Sequence, residues 1–135
     1  MTQKTTIVGI DIGKEKIDAA IRSESVGASF ASTAEDRHNL LDWLKRHRVG
    51  TVVMEASGGY ESRWAKLLRT AGIEVRIVDP KRVRHFARSA GRLAKNDPID
   101  AAMIAWFADW QEVAEFEVVP VVEGKVTREA LEPLL

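Results

Sequence analysis

The stretch Ile7-Val8-Gly9-Ile10-Asp11-Ile12-Gly13-Lys14 limits what this chain can fold into more than any other. Ile7, Val8, Ile10 and Ile12 are apolar and β-branched, the composition of a buried strand. Asp11 interrupts the run. An ionised carboxylate in apolar surroundings is unfavourable unless it is paired or holds a metal. Gly13 suits a tight turn. After it, Ile17, Ala19 and Ile21 alternate with Lys16, Asp18 and Arg22, the period of a second strand. Asp11 therefore stands near the end of a buried strand, just before a hairpin. An acid in that place can also serve simply to cap the turn.

Val26, Ala28 and Phe30 continue the alternation in a third short strand over 26–32, so the chain opens with an antiparallel meander. Thr33 is a suitable N-cap for a helix over about residues 35–47, whose apolar face is Leu40, Leu41, Trp43 and Leu44. His38 and His47 are expected on or near its solvated side. Thr51-Val52-Val53-Met54 has the unbroken apolar character of a strand buried on both faces, and it ends at Glu55. A loop, Ala56-Ser57-Gly58-Gly59, leads into a helix over about 60–71, and Ile73 to Val78 forms the next strand, ending at Asp79-Pro80. A basic helix or irregular segment follows, from Lys81 to Ala90.

Asp97 and Pro98 suit the N-cap and first position of a last helix, in which Ala101 to Ala108 is apolar all round and should be buried. Past Trp110 the pattern weakens, and Phe116 to Val122 fits a strand or an extended tail. Trp106 and Trp110 are expected in the core or facing a partner. A meander followed by alternating β and α units implies a mixed sheet with helices on its faces, with the site at the carboxyl ends of the strands.

Composition narrows the function classes. A chain of 135 residues is by default a single domain, and Cys 0 excludes thiolate chemistry and a disulfide framework. The polar start, Met1-Thr2-Gln3-Lys4, and the lack of a long apolar run favour a cytoplasmic protein with no membrane partner. The net charge of +0 hides a strong asymmetry. Residues 80–96 carry six bases (Lys81, Arg82, Arg84, Arg88, Arg92 and Lys95), with His85 and no acid. Residues 97–123 carry seven acids and no base. The basic segment is a candidate nucleic-acid contact, because neutralising phosphates drives such binding.

Four acids stand where a site could form: Asp11, Glu55, Asp97 and Asp100. Each also has a purely structural reading, and Asp97 with Asp100 resembles a helix cap. On one rim of a sheet, however, four carboxylates repel one another unless some are protonated or a cation is present. A hard divalent ion such as Mg²⁺ is the usual partner of such oxygen donors, and it keeps waters for phosphate oxygens.

Three stretches in order, Gly9-Ile10-Asp11-Ile12-Gly13-Lys14, Val53-Met54-Glu55-Ala56-Ser57-Gly58-Gly59-Tyr60 and Lys95-Asn96-Asp97-Pro98-Ile99-Asp100-Ala101, resemble the DEDD-type transposases of the IS110 insertion-sequence family, kin of the Piv DNA invertases. The resemblance implies a ribonuclease-H-like (RuvC-like) α/β fold. It implies that Asp11, Glu55, Asp97 and Asp100 are a catalytic, metal-binding tetrad using Mg²⁺ or Mn²⁺ on DNA. It also makes a guide RNA of the element a candidate partner, and a homo-oligomer is expected. Asn96 stands where the family often has a threonine. Family members continue into a coiled coil and a domain carrying a nucleophilic serine. The expected organisation is therefore a RuvC-like catalytic domain over 1–112 and a tail over 113–135 leading towards those parts. The chain alone is not expected to complete recombination. Two alternatives stand beside this reading: a Holliday-junction-type nuclease on the same fold, and a truncated, non-catalytic nucleic-acid-binding module. An actin-like sugar kinase also uses an Asp-Ile-Gly hairpin, but the short length and single lobe argue against it.

Overall fold

The computed structural model describes residues 6–92 and 98–118, with side chains through residue 111. The expected meander is present as β1 (Thr6–Ile12), β2 (Lys16–Ile21) and β3 (Val26–Ala31). Helix α1 (Ala34–Arg46), β4 (Val49–Glu55), α2 (Tyr60–Thr70), β5 (Glu74–Val78), α3 (Pro80–Ser89) and α4 (Ala101–Val118) follow. The five strands form one sheet in the order β3-β2-β1-β4-β5. β1 pairs antiparallel with β2 and parallel with β4, so the first strand lies at the centre of a mixed sheet. Gly13 closes the β1–β2 hairpin, donating its N–H to the Lys16 carbonyl at 2.8 Å.

Alternation along the strands divides the core in two. Val8, Ile10, Ile12, Val52 and Met54 pack with Leu40, Trp43 and Leu44 of α1 and with Trp64 and Leu68 of α2. On the opposite face Val53 packs with Val83 and Ala87 of α3 and with Ile104, Phe107 and Ala108 of α4. Helices therefore cover both faces, as the alternation of units requires. Gly9 fixes the spacing of the second face. A Cβ on it would stand 2.4 Å from the Ala105 nitrogen and 2.6 Å from the Ala101 carbonyl oxygen. Only a glycine lets α4 lie this close to the central strand.

The helix starts follow local chemistry. The Thr33 hydroxyl accepts from the Asp36 N–H at 3.1 Å, and the Asp36 carboxylate accepts from the Ala31 N–H at 2.7 Å. This is a capping box whose short acid reaches the strand before the cap, not the cap itself. Asp79 caps α3 through the Lys81 N–H at 2.9 Å, with Pro80 in the first turn.

Three expectations need correction. Helix α4 begins at Ala101, and its cap is Asp100, whose carboxylate accepts from the Met103 N–H at 2.9 Å. The cap thus lies three residues beyond Asp97, which is outside the described residues together with Lys95 and Asn96. The helix then continues to Val118, through residues 112 and 113 and into the stretch that sequence suggested as strand or tail. Weak apolar patterning did not end it, because Ala, Glu and Gln sustain helix by propensity. His47 is not a solvated side chain: it is half-buried, its Nδ1 lies 2.7 Å from Glu24 Oε1, and its ring packs on Trp43.

Candidate metal and nucleic-acid site

Strand register brings the acids together. Asp11 pairs with Asp18 across the hairpin, and Asp18 pairs with Ser29 on β3. On the other side Gly9 pairs with Val53 and Ile10 with Met54, so Glu55 comes next to Asp11. Because side chains alternate, Asp11 and Glu55 share a face with Gly9 and Val53, the face covered by α3 and α4. Since Gly9 touches Ala101 and Ala105, the start of α4 lies over this end of β1. Asp100 therefore projects from the helix start towards the same rim.

The electrostatics agree with this placement. Asp11 is half-buried, and its pKa is raised by burial first, then by the charges of Asp18 and Asp100, with Lys16 opposing. Glu55 is also raised, by burial first and then by Asp11, while the Arg84 guanidinium lowers it. Asp11 is thus the acid at which the charges of Asp18 and Asp100 are felt, and its own charge is felt in turn at Glu55. Asp18 was absent from the set read from sequence, although the tight turn at Gly13 would have placed it opposite Asp11. It is held by the Ser29 hydroxyl and lies 3.8 Å from Lys16 Nζ.

Among the described residues no group of three or more Asp, Glu or His side chains closes into a metal-holding arrangement. The donors nevertheless fit a hard divalent ion. They are all carboxylates, and Glu55 Oε2 is buried without a hydrogen-bond partner among the described residues. Asp97, the fourth acid of the motif, lies outside those residues.

The basic segment divides by function of contact. Val83 and Ala87 are the buried face of α3, leaving Lys81, Arg82, His85 and Arg88 exposed. Arg84 is half-buried and acts electrostatically on Glu55. Arg84 and Arg88 share a helical face, but α3 ends at Ser89, so Arg92 does not extend that row. Instead the guanidinium of Arg92 lies over the Trp106 ring at 5.4 Å, and that of Arg82 over Phe107 at 5.6 Å. Arg22, from the end of β2, covers Trp106 from 5.0 Å. Between α3 and α4 a groove of about 520 Å³ is lined by Arg82, His85, Phe86, Phe107 and the half-exposed Trp110.

A family model described as a DEDD transposase of the IS110 type matches residues 8–124. The chain belongs to that family. It is 26% identical over 125 residues to the pilin gene-inverting proteins of Moraxella lacunata and Moraxella bovis, covering 84% of this chain and 39% of each relative. The chain thus spans about two-fifths of the length of these curated relatives. Among solved structures, the fowlpox virus resolvase in complex with Holliday-junction DNA superposes with a TM-score of 0.51 at 14% identity, over 81% of this chain and 98% of that one. That likeness shows the fold: the mixed sheet with helices on both faces is RuvC-like, of the ribonuclease-H type. No helix among the described residues is long and apolar enough to cross a membrane.

Proposed function

We propose that this chain is the catalytic domain of a DNA transposase or recombinase, acting on phosphodiesters with a divalent metal. The observation that supports the proposal is the β1–β4 register, which sets Glu55 next to Asp11; burial raises both, Asp100 adds its charge at Asp11, and Asp11 adds its charge at Glu55. Membership of the DEDD transposase family, and relatives named for inverting a gene, support DNA as the substrate. Asp11, central in the row, together with Glu55 and Asp100, would hold Mg²⁺ or Mn²⁺, and the family motif adds Asp97. Bound there, the ion would polarise a phosphoryl oxygen and lower the pKa of a water. The chain's own residues supply the rest. Asp11 and Glu55 sit on rigid strands, which fixes their separation. Arg84 offers a positive charge beside Glu55. Lys81, Arg82, Arg88 and Arg92, with Lys95 by sequence, would hold the backbone of DNA or of a guide RNA. We assign the catalytic domain to about residues 1–112, with α4 carrying on past that edge into the tail; strand exchange is not expected of this chain alone, and copies of the chain are expected to associate.

Thermal melts test the metal site. An ion that binds only the folded chain stabilises it by about 2.7 kcal/mol at a hundredfold excess over its Kd. Wild type should therefore melt higher with Mn²⁺. Asp11→Asn, relieved of repulsion, should fold at least as well as wild type without metal and show no rise with it. A wild-type melting temperature indifferent to millimolar Mn²⁺ would count against the proposal.

A further inference from the structure

On the same rim, but on the side of α1 and α2, a second cleft of about 160 Å³ is lined by Lys14, Arg37 and Arg63, with Ser32, Gly59 and Tyr60. That is room for about five waters at their share of the liquid volume, enough for one phosphate group. Three basic residues thus line this space. The acids on the elements that build it are Glu15, Glu35, Asp36, Asp42 and Glu61. Asp36 is committed to the Ala31 N–H and to Asn39. Glu61 accepts from the N–H groups of Ser57 and Gly59 and from the Ser57 hydroxyl. Among the described residues no ion pair joins any of these acids to Lys14, Arg37 or Arg63. Glu61 also takes the amides at the start of α2, so an anion here would be held by side chains and not by the helix end.

We infer that this cleft binds a backbone phosphate of the nucleic-acid strand whose neighbouring phosphates lie at the acids. Two arginines suit phosphate because their planar forks present paired donors. The position is set by the same two strands that carry the acids. Lys14 lies in the turn that leaves β1 three residues after Asp11, and Gly59 and Tyr60 lie in the loop that leaves β4 after Glu55. A strand laid across the rim therefore meets the carboxylates and the cations in succession. The acid row repels a phosphate without metal, whereas the cleft attracts one with or without it. The cleft would thus hold the strand in place before metal binds. This inference rests on the nucleic-acid reading above for the identity of the ligand, but not for the presence of an anion site.

Two measurements on the 135-residue chain separate those parts. The first follows the Arg37 and Arg63 Nε–Hε NMR signals during titration with inorganic phosphate at constant ionic strength. Both should shift saturably in wild type, and Lys14→Gln should weaken the response several-fold. Unmoved signals overturn the cleft, whatever the chain does with DNA. The second measures duplex DNA binding by fluorescence anisotropy across a salt series. Lys14→Gln/Arg37→Gln/Arg63→Gln should bind several-fold more weakly, with a salt slope lower by about one. Its melting temperature should stay near wild type, since these side chains are exposed or half-buried. Unchanged affinity and slope in the triple variant would overturn the assignment to strand backbone while leaving the acid site standing. The α3 variant Lys81→Gln/Arg88→Gln tests the nucleic-acid reading separately. If wild type binds phosphate but no DNA, that reading falls and takes the backbone assignment with it.

Discussion

On β1, Val8, Ile10 and Ile12 are directed to α1 and α2, whereas Gly9 and Asp11 are directed to α3 and α4. β4 repeats the division, with Val52 and Met54 on the first side and Val53 and Glu55 on the second. The first face is built from large aliphatic and aromatic side chains. The second approaches the sheet through a glycine and small helix residues, and its outer end is occupied by acids that burial and neighbouring charge make harder to ionise. Close approach and carboxylates are both unfavourable on their own. They are tolerated here because the other face supplies most of the apolar burial. The difference teaches how one strand can serve stability with its even residues and chemistry with its odd ones.

Substitutions on the two faces should therefore fail in different ways. The largest loss of stability is expected from the first face. Leu44 is fully buried in the α1 contact, and Leu44→Ala should lower stability by about 2–5 kcal/mol. The remaining folded protein should keep its response to Mn²⁺, which denaturant melts with and without metal would measure. If the metal response vanished as well, the two faces would not be separable.

Gly9→Ala should be smaller in stability, about 1–3 kcal/mol, as for other overpacked sites. Its effect on the site should be larger. The added methyl meets backbone atoms of Ala101 and Ala105, so α4 must move, and Asp100 moves with it. The rise in melting temperature with Mn²⁺ should shrink in this variant, unlike in Leu44→Ala. An unaltered metal response would show that α4 does not position the site.

The smallest effect concerns pH, where the two sides act in opposite senses. Glu61, beside the first face, has its pKa lowered to about 2 by the N–H groups and hydroxyl that it accepts from. A depressed acid stabilises the fold above its ordinary pKa, and that contribution is lost as pH falls towards about 2. Asp11 and Glu55 are raised, so their contribution is present below their ordinary values and is lost as pH rises through the raised ones. Glu61→Gln should therefore flatten the acid limb of the stability profile. Asp11→Asn should flatten the decline on its higher-pH side. Equal slopes in both variants and wild type would contradict these assignments.

Much of this arrangement was legible in the sequence. The alternation from Ile7 to Phe30 located the meander, and the apolar run before Glu55 located a central strand. Acids at the ends of β1 and β4 pointed to the rim. What escaped was mostly a matter of register and helix ends. Asp18 looked like an ordinary polar residue of a half-buried strand, and only its pairing opposite Asp11 makes it part of the acidic group. Asp97 and Asp100 are both good caps by residue type, and sequence alone favoured the one before Pro98. Arg84 appeared as one base among six. Its distinction comes from the packing of α3 on the sheet face that carries Glu55, which no local pattern records. The Lys14–Arg37–Arg63 cleft joins three elements far apart in the chain, and none of its cations stands out in a charge run.

Carboxyl ¹³C NMR titration of Asp11 and Glu55 tests most directly whether these acids form one group on the α4 face. Both should titrate above the ordinary Asp and Glu ranges. Asp100→Asn should lower the Asp11 value, Asp11→Asn should lower that of Glu55, and saturating Mg²⁺ should lower both in wild type. Ordinary values for both carboxyls, unmoved by either substitution and by Mg²⁺, would contradict the account.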